Sequence, residues 1–254
     1  MIESSNVEVF ETPARLIKAT AERFILAANT AVQSWGRFTV ALSGGNTPRA
    51  LYELLASEQN ASRVNWANVH VFWGDERCVA PDDTASNYRM ARESLLDRVK
   101  IPASNIHRMR GEDDPAAAAA AYETVVREAF GTATGPSRGT PGTRFDLVLL
   151  GLGADGHTAS LFPHMQALRE QTHWAMAERI ASVEMWRLTL TPAILNEAGE
   201  VVFLVAGSEK AAILRRVLYG ERNPDELPAQ AIEPGSGRLH WMLDAAAAAE
   251  LHAH

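Results

Sequence analysis

Cysteine is almost absent. Cys78 stands alone among 254 residues, so no intrachain disulfide can staple the fold, and a reducing, cytoplasmic setting is the expectation. An excess of positive charge is also missing. The net charge is −7, which argues against broad nucleic-acid binding but leaves room for a small anionic substrate held by local cations. No apolar run is long enough to span a bilayer, and no membrane association is expected. The opening MIESSNVEVFETPARL has no basic flank followed by an apolar core, so no signal peptide is expected. There is no internal repeat. Linker-like composition is confined to residues 131–143, GTATGPSRGTPGT, which read as a surface loop because strand signals of one kind continue on both sides of it. What the chain does have is a 46% hydrophobic content, enough for the core of one large domain over residues 1–254.

Strand and helix signals alternate. Thr12-Pro13 can cap a helix whose apolar face includes Leu16, Ile17, Phe24 and Ala28. Phe38 to Leu42 reads as a strand, and Thr47-Pro48 opens a second helix. A strand at Val69 to Trp73 and helices at Ser86 to Val99 and Glu112 to Phe130 follow. Strands are then expected at Phe145 to Leu150, Arg187 to Leu190, Val201 to Val205 and Leu239 to Leu243, with a helix at Ser208 to Leu218. Ala245 to Ala249 should extend a C-terminal helix, with His252 and His254 fraying beyond it. The pattern predicts an α/β fold, a mostly parallel sheet covered by helices on both faces.

Four constellations carry chemistry. Ser43, Gly44, Gly45 and Thr47 lie between a strand and a helix start, where glycine-freed N–H groups and a helix N-terminus suit an anion; no Walker lysine accompanies them. Trp73-Gly74-Asp75-Glu76-Arg77 again follows a strand, and Arg77 suits a phosphate or a polarised carbonyl. Gly151 to Pro163, GLGADGHTASLFP, brings Asp155 and His157 to a strand end, where ligands of open α/β sheets collect. His157 is the candidate general base, with Asp155 or Asp75 to orient it or bind sugar hydroxyls. The embedded Gly151-x-Gly153-x-x-Gly156 matches a dinucleotide fingerprint, but Pro163 comes too soon for the long helix it needs. A metal reading would use Asp155, His157 and His164, but no Glu or second His falls at helical i+4 spacing, so no metal is expected. Fourth, Arg187 at a strand start and Lys210 in a helix's first turn are candidate anion ligands. Lysine there opposes the helix dipole. Ser160 lacks the nucleophile-elbow pattern, and water is the expected nucleophile.

Taken in order, ALSGGNTP, WGDER, SNYRMARESLL, GLGADGHTASLFP, RLTLTPAIL, AGSEKAAIL and LPAQAI resemble the 6-phosphogluconolactonase family over nearly the full length. The resemblance implies a single-domain Rossmann-like fold shared with glucosamine-6-phosphate deaminases. It implies hydrolysis of 6-phospho-D-glucono-1,5-lactone without metal or cofactor. A monomer with a phosphorylated sugar lactone as its partner is expected. The family often has glycine after LFP; here it is His164. The deaminases carry a glutamate before that proline; here it is Phe162, which favours the lactonase. The alternatives are an amino-sugar-phosphate isomerase or deaminase and a non-catalytic sugar-phosphate sensor, though no DNA-binding helix pair accompanies the chain.

Overall fold

A computed structural model describes residues 7–131 and 143–251. The loop expected at 131–143 and the two terminal histidines therefore lie almost wholly outside the described residues. In chain order the strands are β1 (Val7–Phe10), β2 (Phe38–Leu42), β3 (Val69–Trp73), β4 (Asp75–Arg77), β5 (Leu147–Leu150), β6 (Ala175–Ile180), β7 (Met185–Leu190), β8 (Glu200–Val205) and β9 (Arg238–Asp244). The helices are α1 (Pro13–Trp35), α2 (Asn46–Leu55), α3 (Glu58–Ala61), α4 (Asn87–Ser94), α5 (Pro115–Ala129), α6 (Pro192–Leu195) and α7 (Ala211–Tyr219).

Six strands form a parallel sheet in the order β1-β9-β8-β5-β2-β3. Every residue of β2, β5 and β8 is buried, as the unbroken apolar runs require. Alternation still operates inside them. Leu147 and Leu149 pack with α1 and α2 residues such as Phe24 and Leu51, while Val148 and Leu150 pack with α5 and α7 residues such as Tyr122 and Leu214. Helices thus cover both faces. The chain runs from β2 outward to β3, then returns to β5 on the other side of β2. That reversal leaves a crevice past the carboxyl ends of β2 and β5, where such sheets bind ligands.

The expected parallel sheet is accompanied by a second, smaller one. The strand carrying Arg187 belongs to a second, antiparallel sheet, β4-β7-β6. Leu190 N donates to Gly74 O and Ser160 N to Thr189 Oγ1, tying this sheet to the crevice. Three helix expectations also shift. Residues Ala245 to Ala249 form turns, not a helix. Five alanines have good propensity but too little length to offset nucleation, and Asp244 Oδ1 instead accepts from Ala247 N at 2.7 Å. The helix expected at Ser86 to Val99 breaks at Leu95 and resumes as one 3-10 turn. The one expected from Glu112 starts at Pro115, capped by Asp114. The Thr12 cap stands: its hydroxyl accepts from Arg15 N, with Pro13 in the first turn. Among the described residues, no helix is long and apolar enough to cross a membrane.

At the β3 edge, the His70 and His107 rings stack, with Nδ1 and Nε2 3.2 Å apart, and Phe72 stacks on His107. Burial, then the charges of His70 and Arg37, pushes His107 down from 6.5 to about 4. Between those values the unfolded chain binds a proton that the folded chain refuses, so stability falls as pH falls through this window. Denaturant midpoints measured from pH 7 to pH 4 are expected to decline, and His107→Gln to flatten the decline. An unchanged slope in that variant would refute the assignment.

Candidate active site

The crevice holds a cavity of about 380 Å³. Its floor comes from the β2–α2 turn. Ser43, Gly44 and Gly45 line it, and Gly45, at φ +107°, is the residue from which α2 departs. That conformation suits glycine. Gly44 leaves room for Asn87: a Cβ there would lie 1.9 Å from Asn87 Oδ1 and would displace that side chain. Tyr52 fixes the turn, its hydroxyl donating to Ser43 O and accepting from Ser43 N. Thr47 stands in the first turn of α2, does not cap it, and is not part of the cavity wall.

One wall comes from the antiparallel sheet. Arg77 on β4 and Arg187 on β7 are register partners, and both line the cavity. Like charges directly opposed across strands destabilise a sheet. Burial, then the Arg77 charge, holds the Arg187 guanidinium below its ordinary range. Both Nε atoms are buried without a hydrogen-bond partner, while Arg77 Nη1 donates to Ala85 O. Lys210 joins them from the 3-10 turn before α7. Three cations and the N-terminus of α2 therefore face one space, an arrangement that suits an oxyanion or phosphate.

The loop after β5 supplies the remaining wall. Thr158 Oγ1 donates to Gly151 O, Leu161 N to Thr158 O, and Gly156 turns at φ +86°. No helix follows the third glycine, so the dinucleotide fingerprint is a coincidence of spacing. His157 reaches the cavity; Asp155 stands behind it, outside the wall. Their Nδ1 and Oδ1 lie 2.5 Å apart, and His157 N also donates to Oδ1 at 3.1 Å. Burial pushes the Asp155 carboxyl up, but the hydrogen bond and charge of His157 outweigh it, and the net shift is down. With its proton on Nδ1, the imidazole carries its lone pair on Nε2. Gly153 makes room for the ring: a Cβ there would sit 2.1 Å from Nδ1.

Asp75 lines the cavity but spends its carboxylate elsewhere. Its Oδ2 accepts from Ser160 Oγ at 2.7 Å and its Oδ1 from Asn87 Nδ2 at 3.1 Å. Asp155, not Asp75, orients the imidazole. Glu76 turns away and accepts from the N–H groups of Arg77, Asn87 and Tyr88, anchoring the start of α4. Burial pushes its carboxyl up, against those three N–H groups. Eight of the ten expected site residues thus share one cavity, and a ninth, Asp155, hydrogen-bonds His157 from outside its wall. Asn87 and Phe162 line the cavity without having been expected as site residues. His164, at φ +63°, occupies a left-handed position that glycine adopts more easily, and its ring faces Glu226 at 3.2 Å.

The LPAQAI segment braces this loop. Ala229 N donates to Gly156 O, and a Cβ on Gly156 would meet Leu227. Gln230 donates to Val217 O at the end of α7 and accepts from Asn223 N. A separate cavity of about 410 Å³ lies at the amino ends of the strands. Its charges neutralise one another: Arg23 pairs with Glu8 and Glu200, and Arg238 with Glu200. It is built as a brace between α1 and the sheet.

Comparison with known proteins places the chain in a family. Residues 11–241 match the family of glucosamine-6-phosphate isomerases and 6-phosphogluconolactonases. A 6-phosphogluconolactonase of Nostoc sp. is 42% identical, over 96% of this chain and 98% of its own. One of Synechocystis sp. is 43% identical, over 91% of this chain and 86% of its own. The solved 6-phosphogluconolactonase of Trypanosoma cruzi superposes with a TM-score of 0.85 at 29% identity, covering 97% of each chain. The parallel sheet, its crevice and the ordered motifs around it make this chain a member of the glucosamine-6-phosphate isomerase/6-phosphogluconolactonase family.

Proposed function

We propose that this protein hydrolyses 6-phospho-D-glucono-1,5-lactone to 6-phospho-D-gluconate, the second step of the oxidative pentose phosphate pathway. The observation that carries the reading is one cavity holding both an Asp155-oriented imidazole and the opposed Arg77–Arg187 pair. The cations, with Ser43, Gly44 and Gly45, hold the phosphorylated end. His157 Nε2 takes a proton from water as its oxygen attacks C1. The C1 oxyanion is stabilised by a nearby N–H group or guanidinium. Collapse breaks the bond from C1 to the ring oxygen, and protonated His157 returns its proton to that oxygen. The product acid then ionises to solvent.

No group of three or more His, Cys, Asp or Glu side chains able to hold a metal exists among the described residues, and no step here requires one. Purified protein is expected to accelerate lactone hydrolysis above the spontaneous rate, equally with and without EDTA. A rate equal to background would overturn the assignment, and activity abolished by EDTA and restored by zinc would overturn the mechanism. Ammonia release from glucosamine 6-phosphate would instead identify a deaminase. Phe162 stands against that reading, since it places an apolar ring where deaminases carry a carboxylate.

A further inference from the structure

We propose that Phe162 is a positioning residue for the general base, clamping the His157 imidazole through ring stacking and stabilising it while it carries the proton taken from water. The ring centroids lie 4.1 Å apart with planes inclined by 24°, and Phe162 itself lines the cavity. Asp155 fixes the imidazole at Nδ1, but one hydrogen bond leaves the ring free to swing about it. An aromatic face packed on the imidazole removes that freedom. Gly153 supplies the room in which the clamped ring sits.

The same contact acts on charge. An aromatic face attracts a cation, so it favours imidazolium over imidazole. On the reaction path the imidazolium forms when water is deprotonated, so the contact favours that step; in the free enzyme the same preference sets where the acid limb of kcat/KM falls. The other charged groups around the cavity are Asp155, which favours the imidazolium, and Arg77, Arg187 and Lys210, which oppose it; Asp75 is engaged by Ser160 and Asn87. Phe162 offsets part of the repulsion from three cations while adding no negative charge that would compete with an anionic substrate.

This inference rests on His157 being the base, so His157→Ala is the first control: if it keeps wild-type kcat, the base assignment fails and Phe162 has nothing to position. With that control inactive, Phe162→Leu tests the clamp, because leucine keeps the apolar cover and loses the aromatic face. The expected result is a three- to thirtyfold lower kcat, KM within about twofold, and an acid limb of kcat/KM displaced to lower pH. Phe162→Tyr, which retains the face, should restore both the rate and the position of the limb. If the leucine variant fails to fold, Phe162→Met carries the same comparison. Wild-type kcat in the non-aromatic variant, or a lowered kcat with an unmoved acid limb, would overturn the proposal. So would a tyrosine variant no better than the leucine one.

Discussion

Replacing His157 by alanine is expected to lower kcat by ~10²–10⁴-fold, the span usual for a general base. The fold should survive. His157 lies past the end of β5, its side chain is 30% exposed, and it contributes nothing to either apolar core. Substrate affinity should change little, because the cations sit on β4, β7 and the turn before α7. In the wild type, kcat/KM should fall in acid as the base becomes protonated, and that limb should vanish in the variant. The lactone also hydrolyses unaided, and faster in base, so the enzymatic rate must be taken as the excess over that background. A folded alanine variant with near-wild-type kcat would show that another group deprotonates the water. Family membership would stand and the mechanism would fall.

The second large effect concerns Arg187. Its substitution by alanine should raise KM or the product dissociation constant roughly ten- to a hundredfold, since a charge-assisted hydrogen bond contributes about 1.5–3 kcal/mol. Stability should move the opposite way or not at all. The wild-type protein holds two guanidinium groups opposite one another with buried, unpartnered Nε atoms, and deleting one relieves that repulsion. Lost affinity with undiminished thermal stability separates a ligand-binding arginine from a structural one. Arg77→Ala and Lys210→Ala should weaken binding as well, though Arg77 also braces Ala85 O. Unphosphorylated gluconolactone should be a poor substrate for the wild type. Equal turnover of the two lactones at equal concentration would remove the phosphate role.

The legible parts of the fold were those whose signal is local. Apolar runs such as Val69–Trp73 and Leu147–Leu150, bounded by glycine, announce buried parallel strands wherever they occur. β4 was illegible because Asp75, Glu76 and Arg77 have no strand propensity; they are extended because β7 pairs with them from more than a hundred residues away. The terminal alanines misled for the converse reason, a strong propensity without the length to use it. In the site, residues placed just past strand ends were readable, because topology gathers those ends. Asn87 was not. Its proximity to Gly44 and Asp75 depends on how α4 packs, and nothing within α4 records it. Phe162 was readable as a missing carboxylate but not as the ring that covers His157. At His164, where the resembled family often has glycine, the backbone is left-handed, and the histidine there has Glu226 as partner.

The two halves of the proposed chemistry are mounted on different sheets. The base hangs from the parallel sheet, and the paired arginines stand on the antiparallel one. Among the described residues, polar ties between them include Ser160 to Thr189, Ser160 to Asp75, and Leu190 to Gly74. The junction therefore works as a caliper. Its opening, set by how the sheets seat on one another, fixes how far a reacting carbonyl can stand from an anchored anion. If the proposed function holds, tolerance for shorter or longer phosphorylated lactones would follow from buried packing beneath the cleft. On that reading, a core substitution between the two sheets would alter substrate range while every residue lining the cavity stays the same.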